Sequence, residues 1–162
     1  MSTKQNHRPQ DITDLMLLIF RLNGTLLERG DQLVAHLGIN SARWQVLGAV
    51  GLAGAPQTAP QTAPQIAARM GISRQGAQKQ LHKLVEEGYF EVQANPQHAR
   101  SPLYRLSALG ERTVAGTQHS QTQWTEQLAR QLPDADFAAA CHTLRQLLST
   151  LDALSPPIGE EP

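Results

Sequence analysis

Aromatic side chains, cysteine, net charge and long apolar runs are all scarce in this chain of 162 residues. Aromatics make up 4% of it against 40% apolar residues overall, so any core is built mainly from aliphatic side chains. With alanine, leucine and glutamine abundant, that balance favours helix over sheet. Cys141 is the only cysteine, which excludes an intramolecular disulfide and fits a reducing compartment. The longest apolar run, Leu15-Met16-Leu17-Leu18-Ile19-Phe20, falls far short of the roughly 20 residues that cross a bilayer. The polar stretch before it carries Asp11 and Asp14, and no small-residue cleavage pattern follows. No membrane span and no secretory signal are expected, and the expected location is cytoplasmic.

Functional classes fall away on the same grounds. His7, His36, His82, His98, His119 and His142 are scattered without close metal-ligand spacing, so no metal or cofactor is expected. No catalytic motif, phosphate loop or dinucleotide fingerprint is present, which argues against an enzyme. The formal net charge is zero, a poor sign for a nucleic-acid partner until its distribution is considered. Between Ile66 and Arg112 the basic residues Arg69, Arg74, Lys79, Lys83, Arg100, Arg105 and Arg112 outnumber the acids Glu86, Glu87, Glu91 and Glu111 by three. A basic middle between acidic flanks suits a DNA-reading module set into a scaffold that does not touch DNA.

The order of elements follows from periodicity and punctuation. Ile12, Leu15, Met16, Ile19, Leu22, Leu26 and Leu33 recur near helical spacing from about Asp11, with a helix end expected at Gly30. Leu17, Leu18, Phe20 and Leu27 widen this stripe beyond one packing surface, as when a second subunit covers the helix. Ser41 is a suitable cap for a helix through Trp44, Val46, Leu47 and Val50. The repeat Ala55-Pro56-Gln57-Thr58, Ala59-Pro60-Gln61-Thr62 reads as an extended surface loop, since proline every four residues cannot sustain a helix. Its third start is different: Thr62 and Gln65 make a capping box and Pro64 falls in the first turn of a helix reaching Met70.

Gly71 breaks that helix and Ser73 caps another running to about Glu87, the spacing of a helix-turn-helix. Ala77, Leu81, Leu84 and Val85 share one face of it, leaving Arg74, Gln75, Gln78, Lys79, His82 and Lys83 on the others, with no acid before Glu86. Gly76, also outside the apolar face, lowers helix propensity and would allow close backbone approach. Gly88 ends the helix, and the segments Tyr89–Gln93 and Leu103–Leu106 alternate as a hairpin whose tip holds His98 and Arg100. Ser107 caps a long helix from Ala108 to about Gln131, and Pro133-Asp134 starts a last one with Phe137, Cys141, Leu144, Leu148 and Leu151 on its apolar stripe. In that stripe Cys141 is expected to be a buried, inert thiol. The fold class is mainly α with a small β-hairpin wing.

This order, together with the run Thr62 to Gln75, the segment Leu84-Val85-Glu86-Glu87-Gly88-Tyr89 and the segment Arg105-Leu106-Ser107-Ala108-Leu109-Gly110, resembles the MarR family of bacterial transcription regulators over nearly the whole chain. The resemblance implies a homodimer, with a winged helix-turn-helix at about 41–107, dimerisation helices at about 11–37 and 108–154, and flexible ends at 1–10 and 155–162. Residues 11–154 are then a single domain. The recognition helix would enter the major groove of double-stranded DNA and the wing would lie near the minor groove. The wing departs from the family: His98-Ala99-Arg100 stands where an acid and two arginines are usual, so Arg100 lacks the carboxylate that would orient it.

The expected DNA-binding set is Ser73, Arg74, Gln75, Gln78, Lys79, His82, Lys83 and Arg100, with arginine and lysine suited to guanine or phosphate and glutamine to adenine. Ser73 and the free N–H groups of the helix start suit a phosphate. Many similar proteins are released by small aromatic ligands, for which His36, Arg43 and Trp44 are the candidates; Trp44 also lies on the apolar face of its helix, where a core role is expected. The competing function is a winged helix used for protein association, which apolar or acidic residues on the recognition helix would betray.

Overall fold

The computed structural model describes residues 8–51 and 59–154. The first copy of the proline repeat, most of the expected flexible N-terminus and the tail at 155–162 lie outside the described residues. The elements are α1 (Arg8–Val34), a short 3-10 turn (Ala35–Leu37), α2 (Ser41–Gly51), β1 (Gln61–Thr62), α3 (Ala63–Met70), α4 (Arg74–Glu86), β2 (Phe90–Gln93), β3 (Leu103–Leu106), α5 (Ala108–Gln131) and α6 (Phe137–Ala153). The expected mainly helical fold with a small wing is present. The sheet has a third strand that alternation does not announce: β1 pairs antiparallel with β3, Gln61 opposite Tyr104 and Thr62 opposite Leu103, in the order β1-β3-β2.

Two helix boundaries differ from the sequence expectation in α1. The helix begins at Arg8, inside the segment expected to be flexible, with Pro9 in its first turn, where a missing N–H costs little. Gln10 donates to Asp14 at 2.9 Å and Thr13 to the Pro9 carbonyl at 3.0 Å, closing that turn. The helix also runs through Gly30, which is a contact glycine and not a terminator. A Cβ there would lie 2.6 Å from Ser41 Oγ and 3.3 Å from the Trp44 ring, so its absence lets α1 and α2 approach. The break comes at Gly38, with φ of 72°.

Ser41 does not cap α2 from outside as expected; it is the first helical residue and faces α1. Its hydroxyl donates to the Leu27 carbonyl at 2.6 Å, and its N–H donates to the Asp31 carboxylate at 2.6 Å. The capping acceptor is Asn40, whose Oδ1 takes the Arg43 N–H at 3.0 Å. Asp31 thus supplies a charged acceptor to one of the orphan donors of α2, and the bond from the Ser41 N–H is the leading reason its carboxyl lies below the usual aspartate range.

Val34, Ile39, Val46, Leu47, Val50, Ile66, Leu81, Leu84, Phe90, Tyr104, Leu106 and Val114 form one buried cluster. It joins α1, α2, α3, α4, the sheet and the start of α5. The chain divides into two compact units, Met1–Gln123 and Trp124–Pro162. The second unit has no buried residue in α6. Its helix starts later than expected because Asp136, and not the Pro133-Asp134 pair, provides the cap, accepting from the Ala139 N–H at 2.9 Å. Cys141 is exposed and not buried, since α6 by itself presents its apolar stripe to solvent.

Asp31→Ala should lower the midpoint of thermal unfolding at neutral pH. A carboxyl whose pKa is depressed on folding stabilises the protein above its ordinary pKa and loses that contribution as pH falls through the lowered value. In melts followed by circular dichroism the gap between wild type and variant should therefore hold from neutral pH down to about pH 4 and narrow only as pH falls further; a gap that does not change with pH would show that Asp31 acts without its charge.

Candidate nucleic-acid interface

The helix-turn-helix is built from α3, the Gly71 turn and α4. At the start of α3, Gln65 Oε1 accepts from the Thr62 N–H at 2.8 Å and from the Thr62 hydroxyl at 3.0 Å, the back-reaching half of the expected capping box. Gly71 closes α3 in the left-handed region, φ 63°, a conformation that a side chain disfavours. Ser73 then caps α4, accepting from the Gly76 N–H at 3.0 Å. A Cβ on Gly76 would meet Ser73 Oγ at 3.1 Å, so this glycine leaves room for the cap.

Ala77, Leu81 and Leu84 of α4 are buried, which turns the opposite face outward. Ser73, Arg74, Gln75, Gln78, Lys79, His82 and Lys83 are all exposed on it, in one continuous surface from the helix start. Burial of one face at helical spacing is what brings these seven together, as the periodicity implied.

The wing is a short hairpin in which Phe90 pairs with Leu106, Glu91 with Arg105, Val92 with Tyr104 and Gln93 with Leu103. Its tip is organised by Asn95. The side chain accepts from the Gln97 N–H at 3.0 Å and donates to the Ser101 carbonyl at 2.9 Å, while the Asn95 carbonyl takes the His98 N–H at 3.3 Å. The Asn-Pro signal announced a turn but not this double role. Arg100 is exposed at the tip and in no ion pair among the described residues.

Two of the four acids in the basic segment are occupied by arginines. Arg105 donates from Nε to Glu91 at 2.8 Å across the hairpin. Arg43, on α2, makes a two-pronged pair with Glu87 at the end of α4, with Nε donating at 2.6 Å. That bond is the leading reason the Glu87 carboxyl lies below the usual glutamate range. Sequence reasoning could not see it, because the partners are 44 positions apart. Arg43, His36 and Trp44, the candidate ligand set, are not gathered in one cleft. Arg43 lines a cleft of about 130 Å³ with Asn40, Ala42, Gln80, Lys83 and Leu84. Trp44 packs beside Gly30 and the core, and His36 Nε2 lies 3.4 Å from the Ser120 hydroxyl. Among the described residues no cluster of three metal-ligating side chains occurs, and no helix is long and apolar enough to cross a membrane.

A capped helix-turn-helix followed by a hairpin wing, with β1 before α3 completing a three-stranded sheet, defines a winged-helix DNA-binding fold. The model of the MarR family matches residues 37–101. Uncharacterised proteins of Mycobacterium bovis and Mycobacterium tuberculosis are each 32% identical over 148 residues, covering 90% of this chain and 98% of theirs. Among solved structures, a mutant E. coli MarR complexed with operator DNA superposes with a TM-score of 0.67 at 21% identity, over 93% of this chain and 99% of that one. The M. tuberculosis regulator MosR in complex with DNA gives 0.67 at 19% identity, over 85% and 96%. The chain belongs to the MarR family of transcription regulators, a family of regulators and not of enzymes.

The cap bond gives a local test of how α4 is held. Ser73→Ala should cost about 1 kcal/mol in chemical denaturation, whereas Ser73→Gly should cost only a few tenths, about 0.3 kcal/mol. No loss in Ser73→Ala relative to wild type would mean that the hydroxyl acceptor contributes little.

Proposed function

We propose that this regulator binds a palindromic operator as a homodimer and represses transcription in the cytoplasm. In this reading α4 lies in the major groove, Arg74, Gln75, Gln78 and Lys79 meet base edges and nearby phosphates, and His82 and Lys83 follow the backbone. Ser73 and the start of α4 take a phosphate, and Arg100 at the wing tip reaches the minor groove. The observation that carries the reading is the exposed face of α4, which bears donors and cations over three turns with no acid before Glu86. A module for protein association would have no use for such a face, and nothing apolar or acidic interrupts it.

Support for the dimer comes from apolar surface that the described chain leaves uncovered. Phe20 is 69% exposed and Leu17 and Leu18 are each 61% exposed on α1, with Ile12, Leu22 and Leu26 also open. Taken by itself, α6 exposes Phe137, Leu148 and Leu151. Single exposed leucines are ordinary, but a contiguous stripe of this size marks an interface. A two-fold dimer would present two copies of α4 to successive major grooves, which matches a palindrome with half-sites about one helical turn apart.

Release by a small aromatic or phenolic ligand is a further part of this reading, carried by Arg43 alone of the three candidates, since only Arg43 lines the cleft beside α4. A thermal-shift screen of such acids that yields no stabilised complex would remove it.

Selection from random duplexes should return a palindrome. Arg74→Ala and Lys79→Ala should each weaken binding to it and make its salt dependence shallower by about one unit of slope wherever the lost contact is to phosphate. Unchanged affinity in both variants would overturn the assignment of α4. Phe20→Glu with Leu17→Glu should shift the protein to monomer in analytical ultracentrifugation and abolish tight binding to the palindrome; a persistent dimer would place the interface elsewhere.

A further inference from the structure

The pair between Arg43 and Glu87 bears on how the basic face of α4 stays usable. Glu87 follows the last turn of α4 and stands four residues after Lys83, the spacing at which side chains on a helix meet. Left alone, a carboxylate at that position would bond to the Lys83 ammonium and set a negative charge beside the phosphates. Arg43 engages that carboxylate instead. It approaches from α2, takes both carboxylate oxygens of Glu87, and leaves Lys83 in no ion pair among the described residues. Arg43 and Lys83 line the same cleft, so the three charges are neighbours in space.

Resting on the DNA reading above, we propose that Arg43 is a positioning residue for DNA binding that acts by sequestering the Glu87 carboxylate, so that Lys83 is free to meet the backbone. The arginine's planar fork suits the task. It satisfies a carboxylate in two-pronged fashion, whereas lysine offers a point charge that shares it less completely. Glu87 in turn feels Arg43 most strongly and Lys83 least among its named neighbours, as expected if the arginine has won the competition. The pair also ties α2 to the end of α4, and a tether alone would make the same static picture. The two roles separate when the carboxylate is removed instead of the tether being rebuilt.

The experiment measures binding of the full chain to the selected palindromic duplex across salt concentrations, with a thermal melt of each variant. Arg43→Ala should weaken binding about three- to tenfold near physiological salt and make the salt slope shallower by about one, the signature of one lost phosphate contact. Adding Glu87→Gln to Arg43→Ala removes the competing carboxylate without restoring the tether, and should bring affinity and slope back to within about twofold of wild type. In the Arg43→Ala background, Lys83→Ala should cost little more, because Lys83 is already occupied. An unrescued double variant with wild-type thermal stability overturns the sequestration and leaves a tether. If the double variant does not fold, Lys83→Ala alone and with Arg43→Ala decides the matter: additive losses overturn the proposal and non-additive losses support it. A wild-type chain without salt-dependent binding to any duplex overturns the DNA reading and this inference with it.

Discussion

The reading head depends on a knot of backbone contacts at Ser107. Its N–H donates to the Tyr89 carbonyl at 3.0 Å, its hydroxyl donates to the Gly88 carbonyl at 2.6 Å, and the same hydroxyl accepts from the Gly110 N–H at 3.1 Å. Three elements meet there: the end of α4, the root of the wing and the first turn of α5. The contact is so close that a Cβ on Gly110 would lie 2.3 Å from the Tyr89 carbonyl oxygen, which only a backbone shift could relieve. The spacing Leu106-Ser107-x-x-Gly110 thus has a physical reading. Leucine fills the core, serine caps the helix and closes the turn, and glycine admits the neighbouring strand. With Gly88 at φ 82° supplying the turn, recognition helix and wing are held to α5 at one point.

Much of this was legible before the fold was known, and what was legible is local. Thr62 with Gln65, Gly71, Ser73 and Gly88 each act through bonds to residues within five positions or through their own backbone angle, so sequence spacing identifies them, as it does the cap that Ser107 makes to Gly110; the bonds from Ser107 back to Gly88 and Tyr89 are not local. The exposed set on α4 was legible because burial of Ala77, Leu81 and Leu84 follows a helical period. The errors share the opposite character. Gly30 and Ser41 looked like a helix end and a helix cap, yet both serve the crossing of α1 with α2, a contact between residues about ten apart. The two-residue β1 carries no alternation and exists only because β3 is beside it. Cys141 followed an apolar stripe that periodicity marks as packed, but periodicity does not say whether the covering surface lies in the same chain.

Zero net charge is compatible with a basic outward face on α4 because two of the four acids of the segment are paired off. Glu91 is held by Arg105 within the wing and Glu87 by Arg43 from another helix. What remains outward on α4 is Arg74, Lys79 and Lys83, with glutamines between the first two and Glu86 in the last turn as the one exposed acid of the helix. The sum over a chain is therefore a weaker guide than the list of charges left without a partner. The wing differs from α4: Arg100 is in no ion pair among the described residues and stands near His98, with no carboxylate to orient it.

Reading a palindrome requires that two recognition helices keep a fixed separation, which makes the joint between the surface that would pair two copies and the reading head a matter of specificity. Within the first unit that joint is the crossing of α1 and α2. It is secured where Gly30 lets the helices close, where Ser41 binds the Leu27 carbonyl, and where Asp31 takes the Ser41 N–H. Such hydrogen-bonded contacts resist rotation of one helix about the other in a way that apolar packing alone does not, since a bond is directional and an apolar surface is not. From α2 the constraint passes to the end of α4 through Arg43 and Glu87, and from α4 to the wing through Gly88 and Ser107. Apart from the close approach at Gly30, the links from α1 to the root of the wing are thus polar bonds, set on a core that supplies apolar burial but little directional constraint.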